Sequence, residues 1–144
     1  MPRRPKYHVF ISHSSADTWI AKQIAAHVTD SGASPFLDEV EIAIGGNFEN
    51  EILAFLHKAD ELLVLLTPWA LDCPYVWAEL GAAWGKGMPI VGVLHGISSS
   101  DLQARPGMPV FLKKTNLVDI NLLEKYFAEL SKRCRSTRRK HSTS

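Results

Sequence analysis

The sequence contains few of the residues from which metal and redox sites are built. Its two cysteines, Cys73 and Cys134, lie far apart and have no CxxC or paired Cys/His spacing. The six histidines form no HxxxH or HExxH pair, and no GxGxxG or GxSxG segment is present. These absences argue against a zinc site, a Rossmann dinucleotide site and a serine-hydrolase elbow. We expect no metal and no resident cofactor, and the cysteine usage favours a reducing, cytoplasmic compartment.

Long apolar runs are also missing. The longest has five residues, Leu62–Leu66, well below the roughly 18 that a membrane-spanning helix needs. The first residues, Met1–Lys6, are basic, but the pattern after them is not that of a signal peptide. With 144 residues, 46% hydrophobic and 22% charged, the composition is typical of one soluble domain.

The net charge of +1 hides an uneven distribution. Residues 7–131 hold all fifteen acidic residues but only seven basic ones, a formal charge of −8. An acidic body argues against a nucleic-acid-binding face on the fold. We therefore divide the chain into a basic leader (1–6), one domain (7–131) and a basic, flexible tail (132–144).

Apolar segments alternate with helical patterns along the chain. The predicted strands are Tyr7–Ile11, Ser34–Asp38, Leu62–Leu66, Pro89–Leu94 and Leu117–Ile120. The predicted helices begin near Ser14, Asn47, Pro74 and Asn121, the third stopping at Gly85-Lys-Gly87. The alternation predicts an α/β, flavodoxin-like fold, a five-stranded parallel sheet in the order 2-1-3-4-5 with helices on both faces.

The long segment from His95 to Asn116 separates the last two predicted strands. A connection of this length is usually functional or holds a short helix of its own. The first predicted helix shows Trp19, Ile20, Ile24 and Val28 at helical spacing.

The predicted strand order places a ligand crevice between the first and third strands, where the loops beginning at Ser12 and Thr67 flank it. The third helix carries Glu79 near this crevice, as its only charge before Lys86. Two interpretations stay open at this point. Glu79 is either a solvated surface acid or a buried carboxylate, and a buried carboxylate is costly unless it is paired or used. Tyr75, four residues earlier, lies on the same helix face.

A receiver domain of a two-component pathway has the same strand order. Such a domain needs an acidic cluster after the first strand, a phosphoacceptor aspartate at the end of the third and a lysine at the end of the fifth. Here these strands end in polar or apolar residues instead, with Ser12 to Ser15 after the first strand. We therefore reject this class.

Three segments, which occur in register along the chain, are Phe10–Asp17, Phe36–Asp38 with the Gly45-Gly46 loop, and Leu71–Gly81. Together they resemble TIR domains (Toll/interleukin-1 receptor type), and the body is most similar to bacterial members. Phe10–Asp17 resembles the first signature box, and Phe36–Asp38 with the Gly45-Gly46 loop looks like the second strand and BB loop. Leu71–Gly81 is similar to the helix that bears the WxxxE motif, with Tyr75 in place of the tryptophan. The resemblance covers roughly Tyr7 to Leu130.

The resemblance implies an enzyme that cleaves the nicotinamide–ribose bond of NAD⁺ and releases ADP-ribose or a cyclic ADP-ribose signal. It implies Glu79 as the catalytic residue, and NAD⁺ as substrate rather than cofactor. The substrate-binding residues that it implies are His13, Ser14, Ser15, Asp38, Ile44, Gly45 and Tyr75. Ser14 and Ser15 stand where some enzymatic members have arginines.

Two of these residues have structural interpretations that stay open. His13 is either a nucleotide contact or a strand-end histidine held by backbone bonds. Asp38 is either part of the closing loop or a turn cap.

The resemblance also implies partners. In this family a neighbouring protomer's BB loop commonly completes the site, so we expect homotypic TIR–TIR self-association and a downstream effector that senses the nucleotide product. Bacterial antiphage immunity, or a toxin-like role, is the expected setting. The alternatives are a non-catalytic TIR–TIR interaction module, acting through Glu39–Asn47 and the His95–Asn116 segment, and a host-mimicking effector that binds eukaryotic TIR adaptors. We expect no membrane and no specific nucleic-acid partner.

Overall fold

Five parallel strands form the centre of the molecule. The structure, a computed structural model, describes residues 6–37, 54, 56–106 and 116–142, with side chains for 117–136 of the last range. The strands are β1 (His8–Ser12), β2 (Ser34–Leu37), β3 (Glu61–Leu66), β4 (Ile90–Leu94) and β5 (Asn116–Asp119). They pair in the order β2-β1-β3-β4-β5, and every pair is parallel. The predicted α/β fold and strand order are confirmed.

Helices connect and cover the strands in the described part of the chain. They are α1 (Thr18–Asp30), α2 (Pro74–Gly85), α3 (Ser99–Ala104) and α4 (Leu123–Ser142). Residues 54 and 56–58 are also helical, while the rest of the predicted second helix lies outside the described residues. In the part of the chain that is described, no helix combines the length and the hydropathy that crossing a membrane requires.

The sheet separates two hydrophobic cores because successive strand residues point to opposite faces. Val9, Ile11 and Leu63 pack in the core beneath α1 and α4. Phe10 and Leu62 pack in the core beneath α2 and α3. All six residues of β3 are buried, as expected for a central strand of a parallel sheet that is covered on both faces.

Helix α1 turns its small and branched residues towards the sheet. Its buried residues are Ala21, Ile24, Ala25 and Val28, which recur at i, i+3, i+4 and i+7. Trp19, which stands at helical spacing with Ile20, Ile24 and Val28 in the sequence, is 72% exposed and lies outside the buried stripe. It lies two positions before Ala21, and two positions on a helix turn a side chain to the far face.

Short polar side chains cap the N-termini of α3 and of the 3-10 turn that leads into α4. The long segment after β4 does hold a helix, and the Ser98 side chain accepts a hydrogen bond from the Asp101 N–H at its start. The Asp119 side chain accepts from the Asn121 N–H and caps the 3-10 turn Ile120–Leu122. An aspartate at the end of a strand is well suited to this role, because its short side chain reaches the N–H two residues on. The last helix begins at Leu123, two residues after the predicted start near Asn121.

The last helix continues past the domain boundary predicted at residue 131. It runs to Ser142, and Cys134 is only 4% exposed and belongs to the core beneath α1 and α4. Arg133 forms an ion pair with the buried Glu61, with 3.0 Å between Nη2 and Oε1. Arg133 and Cys134 therefore contact the body of the domain. Basic composition alone does not make a segment flexible when its inner face is packed.

Glu61, at the start of β3, is the centre of a buried polar cluster that pins α4 to the sheet. The Tyr7 hydroxyl donates to Glu61 Oε1 over 2.9 Å, and the Tyr126 hydroxyl donates to Oε2. The Arg133 guanidinium also lies over the Tyr126 ring, 5.6 Å from its centroid. Burial in the first place, and the Glu61 carboxylate in the second, raise the pKa values of Tyr7 and Tyr126 well above the ordinary tyrosine value. We call these four residues the Glu61 cluster.

Candidate active site around Glu79

Helix α2 carries the candidate catalytic residue into the interior. It begins at Pro74, whose fixed φ and missing N–H suit the first helical position. Val76, Leu80 and Ala83 are buried against the sheet. Glu79 is buried with them and has 0% exposure. The interpretation of Glu79 as a solvated surface acid is therefore wrong.

A serine at the end of β1 holds the Glu79 carboxylate. Ser12 is fully buried, and its hydroxyl donates to Glu79 Oε1 over 2.9 Å. Ser12 is the last residue of β1 and lies opposite Val64 of β3. Because the strands are parallel, this is the carboxyl edge of the sheet, where open α/β folds bind their ligands.

A second buried carboxylate, Asp17, joins the two loops that flank the predicted crevice. The Ser14 hydroxyl donates to Asp17 Oδ2 over 2.8 Å, and the Thr67 hydroxyl donates to the same oxygen over 2.5 Å. The Ala70 N–H in turn donates to Thr67 Oγ1 over 3.0 Å. The loop after β1 and the loop after β3 are therefore fixed to each other through Asp17, which is itself buried.

Three of the residues predicted to border the nucleotide lie in the loop after β1. His13 is buried, with Nδ1 3.4 Å from the Ile11 carbonyl oxygen. This contact is the one expected of a strand-end histidine. Ser14 is buried and bonded to Asp17, whereas Ser15 is exposed at the start of a 3-10 turn. The structure brings Ser15 to the surface of this edge and directs the Ser14 hydroxyl inwards.

The aromatic residues of α2 have different environments. Tyr75 is half-buried and packs against the core beneath α2 and α3. The Trp77 indole N–H donates to the Leu71 carbonyl over 2.8 Å, which fastens the turn that precedes the helix. Tyr75 therefore remains the aromatic candidate beside Glu79, and Trp77 has a structural partner. The other predicted positions, Asp38, Ile44 and Gly45, lie outside the described residues.

Sequence reasoning placed Ser12 and Thr67 at the start of the flanking loops and Asp17 in the first signature box, but it assigned none of the three a role in the site. The available signal was a polar residue directly after each of two predicted apolar strands, Ser12 after Tyr7–Ile11 and Thr67 after Leu62–Leu66. Residues that follow neighbouring parallel strands lie at the same edge of the sheet and can contact each other there. Within the described ranges, no group of three or more His, Cys, Asp or Glu side chains is arranged to hold a metal ion.

A cleft of about 710 Å³ lies apart from Glu79, between α1 and the start of α4. Trp19, His27 and Phe127 line it, and the His27 and Phe127 rings stack with centroids 5.2 Å apart. Of the predicted substrate-binding residues that the structure describes, none lines this cleft.

The fold and the site define a flavodoxin-like α/β domain with a buried carboxylate at the carboxyl edge of its sheet. The sequence model described as TIR domain matches residues 9–132. The chain belongs to the TIR domain family. No curated protein sequence matches the chain.

Solved structures with the same fold include receptor domains from animals. The TIR domain of the Toll-related receptor TRR-2 from Hydra magnipapillata aligns with 17% identity and a TM-score of 0.63, over 87% of this chain and 98% of that one. A TIR-STING receptor from C. gigas, solved in complex with 2',3'-cGAMP, aligns with 17% identity and a TM-score of 0.64, over 91% of this chain. This chain spans 41% of that receptor. The SEFIR domain of interleukin-17 receptor B aligns with 11% identity and a TM-score of 0.62, over 89% of this chain and 96% of that one.

Proposed function

We propose that the chain is a TIR-domain NADase, which cleaves the nicotinamide–ribose bond of NAD⁺ with Glu79 as its catalytic carboxylate. The observation that carries the proposal is a fully buried glutamate, bonded to Ser12, at the ligand-binding edge of the sheet. Burying a carboxylate costs free energy. Groups kept at this cost are concentrated at functional sites.

The reaction needs only one carboxylate because the leaving group needs no proton. When the bond between the ribose C1' and the nicotinamide nitrogen breaks, its electron pair goes to the positively charged ring, which departs as neutral nicotinamide. Positive charge then develops on the ribose, as in other glycosidic cleavages. The Glu79 carboxylate would stabilise this charge and orient the ribose hydroxyls. Water adds to C1' and loses a proton to give ADP-ribose, or a nucleophile of the same molecule adds to give a cyclic product.

The surrounding residues would bind the rest of the nucleotide. Tyr75 is placed one helical turn before Glu79 and offers an aromatic face for the ribose or nicotinamide. Ser15, which is exposed, is the residue of the loop after β1 that is best placed for a polar contact. His13 and Ser14 would contribute after a change in their present hydrogen bonds. Asp38, Ile44 and Gly45 would close over the substrate.

Self-association and signalling belong to the same proposal. TIR domains generally self-associate with one another, and we propose that clustering of this chain switches on turnover. The nucleotide product would then act on a downstream effector in immune signalling, in bacterial antiphage defence. We propose a cytoplasmic location, where NAD⁺ is available and both cysteines stay reduced, as they are in the structure.

A non-catalytic interaction module is the second candidate, and one observation favours it. Glu79 has 0% exposure in this conformation, and the His13 and Ser14 side chains contact protein groups. A domain that only binds other TIR domains would have no need to open this edge. A host-mimicking effector is a variant of this candidate.

Nicotinamide release from NAD⁺ separates the two candidates. The purified chain is incubated with NAD⁺ while dispersed and while clustered on beads, and nicotinamide and ADP-ribose species are quantified by mass spectrometry. We expect release that rises on clustering and is abolished in Glu79→Gln. Glu129→Gln, which changes an exposed acid of α4, is the matched control and should keep wild-type release. No release in any state, or equal release from wild type and Glu79→Gln, would support the interaction module.

A further inference from the structure

We propose that Ser12 is the positioning residue of Glu79, and that this pair is complete within a single chain. The inference rests on the proposed function. It adds to that function a residue, Ser12, that sets the direction of the Glu79 carboxylate. Ser12 touches no substrate in this proposal. It acts through its hydrogen bond to Glu79 Oε1, which is 2.9 Å long.

The backbone of Ser12 is more firmly fixed than that of a loop residue. Ser12 ends β1, and its Cα partner across the sheet is Val64 of the central strand. A serine side chain has one rotatable bond before its hydroxyl, so a fixed backbone leaves few positions for Oγ. Side chains that are presented by strands and helices hold functional groups more accurately than those on loops.

The burial of the hydrogen bond between Ser12 and Glu79 increases the effect of losing it. Ser12 and Glu79 both have 0% exposure. Water therefore has no direct access to replace the hydroxyl if it is removed. Hydrogen bonds to charged groups are stronger than neutral ones, and they are stronger in a buried site. Loss of the hydroxyl should weaken the constraint on the direction of the Glu79 carboxylate.

Both members of the pair come from the same chain, so self-association is not needed to aim the carboxylate. Clustering would therefore change access or substrate binding, and the Ser12–Glu79 contact would be the same before and after it. A variant without the hydroxyl should stay defective when it is clustered. Its defect should lie in kcat more than in KM, because the carboxylate acts on charge that develops in the transition state.

The test compares Ser12→Ala with Tyr126→Phe. Both variants remove a buried hydroxyl that donates to a buried glutamate, but Tyr126 contacts Glu61 at the opposite edge of the sheet. We expect Ser12→Ala to lower kcat about 10- to 100-fold, with little change in KM and no recovery on clustering. Tyr126→Phe should keep the wild-type kcat at a temperature where it is folded. Ser12→Thr, which keeps the hydroxyl, should recover most of the activity.

An NMR measurement made without substrate tests the positioning role of Ser12 separately from the proposed NADase activity. In protein labelled with ¹³C at the glutamate carboxyl carbons, the Glu79 signal is identified by its loss in Glu79→Gln. Ser12→Ala should move this signal, and Tyr126→Phe should move the Glu61 signal instead. An unmoved Glu79 signal, or wild-type kcat in folded Ser12→Ala, would overturn the positioning role. Absence of turnover in the wild type, together with a moved signal, would overturn only the proposed function.

Discussion

Replacing Arg133 with alanine should destabilise the domain even though this residue lies in a stretch whose composition predicts a flexible tail. The substitution removes the cation 3.0 Å from Glu61 Oε1. Breaking a buried ion pair by removing one partner costs about 3–5 kcal/mol. Two features reduce this cost here. The Arg133 side chain is 34% exposed, so solvent screens the pair, and the hydroxyls of Tyr7 and Tyr126 still donate to the carboxylate.

From these contacts we expect a loss of about 2 kcal/mol in the free energy of unfolding. For a chain of this length the melting temperature should then fall by roughly 4–8 °C. Urea denaturation, followed by far-UV circular dichroism, measures the free energy directly. Arg135→Ala is the matched control, because Arg135 is an exposed arginine of the same helix. It should change the free energy by less than about 0.5 kcal/mol.

Truncation after Ser131 extends the same test. It removes Arg133 and also the buried Cys134, so it should cost more than Arg133→Ala alone. A truncated chain as stable as the full chain would refute the contribution of Arg133 and Cys134 to the packing of α4. Equal stability of Arg133→Ala and wild type would refute the energetic role of the ion pair while leaving the packing intact.

Three further predictions follow from the other buried contacts. Burial and Glu61 raise the pKa of Tyr126, so the folded state keeps a proton that the unfolded chain loses near pH 10, and the free energy of unfolding should fall above about pH 10. Urea titrations at increasing pH should show a flatter pH dependence of this free energy in Tyr126→Phe than in the wild type. Equal pH dependences would contradict the linkage. Asp17→Ala should cost about 2 kcal/mol and speed hydrogen exchange in the loops after β1 and β3, whereas unchanged exchange would show that Asp17 does not join them. Trp77→Phe should lose about 1 kcal/mol with the bond to the Leu71 carbonyl, and an unchanged urea midpoint would contradict this estimate.

The fold was predictable from the sequence because its strands are short, apolar and separated by helical patterns. Leu62–Leu66 is apolar at every position, which is typical of a central strand covered on both faces, and the structure places it there. Pro35 near the start of β2 indicates an edge strand, and β2 is at the edge. The position of Trp19 was not predictable in the same way, since helical spacing fixes the stripe only once its first buried residue is known.

The site was predictable only in part. The helix that bears Glu79 and its place at the carboxyl edge follow from strand order, but the burial of Glu79 does not follow from spacing. The bond between Ser12 and Glu79 joins residues 67 positions apart, and the two loops meet through Asp17 only after the sheet has formed. The Glu61 cluster was hidden because an acid at a strand start resembles a surface residue and Arg133 is one of many basic residues near the C-terminus.

The turnover of NAD⁺ by Glu79→Gln, measured beside its melting temperature, tests the central claim most directly. The variant keeps the shape of the side chain and an oxygen that can accept from Ser12, so it should fold and its melting temperature should stay close to that of the wild type. Clustered wild type should release nicotinamide, and the folded variant should release at least about 100-fold less. Wild-type turnover in a folded Glu79→Gln chain would contradict the assignment of Glu79 as the catalytic carboxylate.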